Sequence, residues 1–158
     1  MSNQSVVHST FVIEREYPAT PERVFNAWSQ PEAREAWATA PQGMESGEST
    51  FDFRVGGQET SNFTTQDGNA IRTASIFHDI IPNDRIVYSY ELFGNDERAS
   101  ISLATVELIA GPNGETTTLI YTEQGAYLDD LDKPEYREAG MTGILEKLAS
   151  ALESAPAK

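Results

Sequence analysis

The stretch DKPEYREAGMTGILEKLASAL, residues 132–152, carries the longest helical pattern of the chain, and what that helix must cover decides the fold. Asp132 and Glu135 stand at the spacing of a capping box. Met141, Ile144, Leu145, Leu148, Ala149 and Leu152 then recur at helical spacing, which predicts a long amphipathic helix ending near Ser154, before Pro156. Gly140 and Gly143 lie inside it, each costing about 1 kcal/mol relative to alanine. Close approach of the helix to a sheet, or room for a ligand beside it, would compensate.

The partner of this helix is read from the middle of the chain. Between Ser49 and Tyr127 five turn signals (Gly56-Gly57, Asp67-Gly68, Pro82-Asn83-Asp84, Gly94-Asn95-Asp96 and Pro112-Asn113-Gly114) separate six pieces of strand length. Such short connections join antiparallel neighbours, because a parallel crossover needs a dozen or more residues. With a first strand over Ser9–Tyr17 the expected sheet has seven strands. Alternation in Phe51, Phe53 and Val55, in Ile86, Tyr88, Tyr90 and Leu92, in Ala104, Val106 and Leu108, and in Leu119 and Tyr121 makes one face apolar. The strand from Ala70 to Ile81 is ambiguous: Ile71 and Phe77 fall on one face, Ala74, Ile76 and Ile80 on the other.

Between the first strand and the meander lies RVFNAWSQPEAREAW, residues 23–37, with both tryptophans of the chain. Thr20 can cap a helix that begins at Pro21, and Val24, Phe25 and Trp28 form its apolar stripe. A second start at Ser29-Gln30-Pro31-Glu32 places Ala33, Ala36 and Trp37 on one face of another short helix. The expected architecture is α+β: a seven-stranded antiparallel sheet wrapped around a long C-terminal helix, with two short helices between strands 1 and 2. No linker or repeat marks a second domain, so residues 1–158 are read as one domain with an ordered core over about 9–153.

Composition narrows the function. Eleven Lys plus Arg against 25 Asp plus Glu give a net charge of -14, which repels phosphate backbones and anionic lipid and argues against nucleic acid and membrane as partners. Without cysteine, and with His8 and His78 the only histidines, no metal site or other cofactor is expected. The first ten residues have neither a basic leader nor an apolar run, so a cytoplasmic protein is expected.

Arg15-x-Tyr17-x-Ala19, Val24-Phe25-x-Ala27-Trp28, Pro31-Glu32, Trp37 and Asp52-x-Arg54-Val55-Gly56-Gly57 closely resemble the signature of the START-like (SRPBCC) superfamily, in the branch named for the activator of Hsp90 ATPase homologue, which also holds CalC-like proteins. The resemblance runs from about Phe11 to Leu152. Thr20, Ala38-Thr39 and Met141 depart from it, the last where tryptophan is frequent. It implies a helix-grip fold with a cavity between sheet and C-terminal helix, roofed near the short helices. Residues expected along such a cavity are Trp28, Trp37, Phe53, Phe63, Phe77, Tyr88, Tyr90, Tyr121, Met141 and Leu145; for the aromatics, plain core packing is the competing reading.

Arg54 and Asp52 alternate outward as a surface ion pair or a polar anchor at the cavity rim. Gly56-Gly57 supplies a turn. His78-Asp79 cannot form a catalytic dyad, since neighbours on a strand face opposite ways. Asp129-Asp130-Leu131-Asp132 reads as a solvated loop with a helix cap, or a contact for a divalent ion or partner. Glu123, in phase with Leu119 and Tyr121, points inward, where burial would raise its pKa into a range useful for proton transfer, and is the candidate catalytic acid. Three functions are compatible with the resemblance: binding of a small hydrophobic or amphipathic ligand, a polyketide cyclase- or hydrolase-like reaction, and a chaperone-activating, stress-response interaction. A homodimer is also compatible.

Overall fold

A computed structural model describes residues 4–38 and 43–154; Thr39 and Pro156, used above, lie outside them. In chain order the elements are β1 (Val6–Tyr17), α1 (Pro21–Ser29), α2 (Pro31–Glu35), β2 (Glu45–Ser46), β3 (Thr50–Phe51), β4 (Gln58–Thr64), β5 (Ala70–Ile81), β6 (Arg85–Gly94), β7 (Glu97–Ala110), β8 (Thr117–Leu128) and α3 (Pro134–Ser154). One antiparallel sheet runs in the order β1-β8-β7-β6-β5-β4-β2, with β3 also on β4. It is the helix-grip arrangement, with eight strands rather than seven. The expected strand around residues 51–55 keeps only Thr50–Phe51, because a turn begins at Arg54, and the brief β2 adds the eighth. Val55, expected inward, is exposed for that reason.

The inner face follows from the register. Phe11, Ile13 and Tyr17 of β1 lie opposite Glu123, Tyr121 and Thr117 of β8, which lie opposite Ala104, Val106 and Ala110 of β7. The ambiguity of β5 is resolved by a bulge. Pairing with β6 runs Phe77 to Tyr88 and then Asp79 to Val87, so His78 is the extra residue. The inward phase therefore switches from odd to even positions, with Ser75 and Phe77 buried before the bulge and Ile80 packed on the core after it.

Thr20 caps α1 as expected, accepting from Arg23 N. The second helix ends earlier than expected: Ala36 is exposed, and Trp37 follows the helix in a turn. α3 begins at Pro134 without the expected capping box. Asp132 accepts from Lys133 N and turns its other oxygen to Arg137, while Glu135 is exposed. The buried stripe of α3 is Arg137, Met141, Leu145, Leu148 and Leu152. Its C-terminal half is fastened to β1 and α1: Tyr17 Oη donates to Leu145 O, Arg23 Nη2 to Leu152 O, and Arg15 pairs with Glu146. The bond from Arg23 satisfies one of the carbonyls that the last turn leaves free.

Gly140 and Gly143 are exposed, and a Cβ at either would meet nothing within 4 Å, so close approach does not explain them. Gly140→Ala is expected to stabilise the protein by up to about 1 kcal/mol in urea denaturation. Gly57→Ala should instead cost about 2 kcal/mol or more, because its Cβ would lie 2.1 Å from the backbone oxygen of Asp52.

Candidate functional site

Two charged residues, Arg137 and Glu123, are buried between α3 and the sheet. Arg137, on the buried stripe of α3, donates from Nη1 to Tyr90 Oη (2.8 Å) and Glu123 Oε2 (3.3 Å), and from Nη2 to Ser100 Oγ (2.7 Å) and Asp132 Oδ2 (2.6 Å). Glu123 has no accessible surface. Tyr121 Oη donates to its Oε1 at 2.6 Å and Tyr90 Oη to its Oε2 at 2.8 Å. Every partner of Glu123 is a donor, so both its oxygens are engaged.

The sequence reading found Glu123 but missed Arg137. The signal was its position four residues before Met141, on the apolar stripe. Its guanidinium also stacks on Tyr90 and Tyr127, 5.4 and 5.3 Å from the ring centroids. Gly125 permits this, since a Cβ there would lie 2.9 Å from Tyr127 Cε1.

Burial disfavours the Arg137 charge, but the fields of Tyr90, Glu123 and Asp132 overcome it and push its pKa up. Burial is also the main cause that pushes Tyr17, Tyr88, Tyr90 and Tyr121 up, and Tyr127 up to about 12.

A second missed residue, Arg34, holds the elbow formed by α1 and α2. It clasps Glu59 of β4 with two bonds of 2.7 Å, donates to Trp28 O, and lies 5.0–5.4 Å from the rings of Trp28, Trp37 and Phe51. Trp28 and Trp37 meet edge to face at 4.7 Å, Trp37 Nε1 donates to Ala27 O, and each is 1% exposed. They stand behind the site rather than on its surface. Trp28 Nε1 has no partner.

The limit of solvent access locates the site. Ser75, Tyr88, Arg137 and Met141 keep 7–9% of their surface, and Tyr90 more, whereas Tyr121, Glu123 and Leu145 keep none. The accessible residues adjoin one another: Ser75 pairs with Tyr90 across the sheet, Tyr88 and Tyr90 rings lie 6.1 Å apart, and Met141 is one turn beyond Arg137. They form a partly exposed patch between the N-terminal half of α3 and the inner face of β5–β6. Outward from it the inner face of β4–β6 carries half-buried Phe63, Ile71, Thr73 and Leu92. Phe51, Phe53 and Phe77 form an aromatic wall, with centroids 5.0–6.2 Å apart.

Of the residues expected along a cavity, Tyr88, Tyr90 and Met141 keep some exposure in this patch, Phe53 and Phe63 are half-buried beside it, and Phe77, 1% exposed, packs behind Phe53. Tyr121 and Leu145 lie beneath. His78 is exposed and contacts Ser89 Oγ, while Asp79 pairs with Arg85, so no dyad forms. Asp52 and Arg54 make an exposed pair within the turn. Depressions of about 310 and 470 Å³ lie elsewhere, beside the Gly56 turn and on the outer face of the sheet. Among the described residues no helix is long and apolar enough to cross a membrane.

Residues 18–153 match the family described as activator of Hsp90 ATPase homolog 1-like protein. Among solved structures, Mll3558 from Rhizobium loti is 44% identical with a TM-score of 0.85, over 93% of this chain and 99% of that one. A protein from Rhizobium leguminosarum is 37% identical with a TM-score of 0.90, over 96% and 99%. An AHSA1-like protein from Aeromonas hydrophila, at 21% identity, a TM-score of 0.67 and 92% and 93% coverage, shares the fold. No protein of curated function matches the sequence.

Glu123→Gln is expected to cost about 3 kcal/mol, since it removes a buried charge and leaves one tyrosine facing an amide donor. Joined with Arg137→Met it should cost less than the two single changes summed, by urea denaturation of all three variants. The tyrosines add an alkaline limit. Their folded pKa values stand above the usual 10.0, so their contribution is complete below pH 10 and is lost as the pH rises through the folded values. Stability should fall from about pH 10 upward, read by circular dichroism.

Proposed function

This chain belongs to the activator of Hsp90 ATPase homolog 1-like family, and from that premise we propose that it binds a small amphipathic molecule in the groove between α3 and β4–β6. The observation that carries the reading is the partial exposure of apolar side chains on the inner face of β4–β6, beside a floor of buried polar groups. Apolar walls with a few fixed polar groups are the composition of a small-molecule pocket. Ile71, Leu92 and Phe63 would take the apolar body, and Tyr88 and Tyr90 the polar end.

Both oxygens of Glu123 are held by Tyr90, Tyr121 and Arg137. That favours holding a ligand over the acid–base work a cyclase- or hydrolase-like reaction would ask of this residue. Nothing in the groove calls for a protein partner, so a chaperone-activating role rests on the family name alone.

The fluorescent probe N-phenyl-1-naphthylamine should brighten saturably on addition to the protein. Met141→Trp, which fills the floor with a larger ring, should abolish the enhancement while the far-ultraviolet circular dichroism stays unchanged. A probe that remains dark with the native chain removes the proposal; undiminished brightening in M141W moves the site elsewhere.

A further inference from the structure

From the direction of the hydrogen bonds in the floor we infer that the polar end of the ligand is a hydrogen-bond donor without negative charge, a hydroxyl being the simplest, and that carboxylates are refused. The inference rests on the ligand-binding reading above.

Its basis is a count of hydrogens. A phenol has one hydrogen to give. Tyr121 gives its hydrogen to Glu123 Oε1, and Tyr90 gives its own to Glu123 Oε2. The 3.4 Å contact between Tyr88 Oη and Tyr121 Oη therefore has only one possible direction: Tyr88 donates. While that hydrogen points at Tyr121, across a contact that is long for two hydroxyls, Tyr88 offers the groove the lone pairs of its oxygen. Tyr90 already accepts from Arg137 Nη1, so it too has only acceptor capacity left. Burial keeps these phenols protonated at neutral pH, so the order is stable there. Ser75 Oγ, across from Tyr90, serves either role and does not discriminate.

Charge gives the second half. One cation, Arg137, faces two carboxylates, Glu123 and Asp132, so the cluster sums to 1 − 2 = −1. Arg34 is matched by Glu59. Neither guanidinium is in excess over its carboxylates, and the whole chain carries -14. A bound carboxylate would enter a negative field, where a low dielectric makes repulsion costly.

The test compares three probes of one chain length, 1-decanol, methyl decanoate and decanoate at pH 7.5, as competitors of N-phenyl-1-naphthylamine. Decanol should displace the dye at about fivefold lower concentration than the ester, which accepts but does not donate, and by a larger factor than decanoate. Tyr88→Phe keeps the ring and removes the acceptor oxygen, so, with each competitor scaled to the dye affinity measured for Y88F, decanol and the ester should become equal. Decanoate or the ester displacing the dye as well as decanol does would overturn the inference and leave the binding reading standing. A decanol preference that survives in Y88F overturns the assignment to Tyr88. Failure of the native protein to bind the dye or any competitor overturns both proposals together.

Discussion

Arg137 is the residue that fixes how α3 sits on the sheet. A guanidinium loses several kcal/mol of hydration on burial, and it is retained only where nearly every donor finds an acceptor. Here the acceptors come from Tyr90 on β6, Ser100 on β7, Glu123 on β8 and Asp132 in the connection before the helix. The apolar stripe of Met141, Leu145, Leu148 and Leu152 tolerates small rotations and slides, because dispersion is not directional. Four directional bonds to separate elements do not, and a helix displaced by one residue would leave Arg137 buried without these acceptors and Glu123 without its cation.

That constraint acts at one end of α3 only. The other end is held from β1 and α1 through Tyr17, Arg15 and Arg23. The helix is therefore braced along the β1 side of the sheet, and the inner face of β4–β6 is left with half-buried side chains. The elbow closes a further side. Arg34 ties α2 to β4 through Glu59 while filling the space between Trp28, Trp37 and Phe51. α2 buries no residue of its own, so this clasp and the adjoining Trp37 do for the elbow what an apolar face does for a longer helix.

The legible parts of the sequence were those where period and phase run unbroken. β7 from Ser100 onward and the whole of β8 alternate without interruption, so their inward residues, Glu123 among them, could be read off directly. β5 could not, because the bulge at His78 changes phase in mid-strand; the conflict between Phe77 and Ile80 was the bulge's only trace. The turn that starts at Arg54 likewise overrode the alternation that placed Val55 inside. Arg137 and Arg34 were not legible, because a cation on an apolar helical stripe reads as an interruption. Asp132 looked like a cap from spacing alone, but the competing partner lay on the first turns of the helix, where Arg137 claims its oxygen.

Seen from the groove, Glu123 governs chemistry it never touches. It has no accessible surface, and with three donors aimed at its oxygens it sets the direction in which each neighbouring hydroxyl points its hydrogen. The order propagates outward through Tyr121 to Tyr88, so the polarity presented at the floor is decided one layer below it. An arrangement of neutral hydroxyls alone would have no such anchor, since each could rotate to suit whatever arrived. A buried acid surrounded by phenols removes that freedom, and under the proposed binding role selectivity would follow from a residue whose immediate role is to hold the helix.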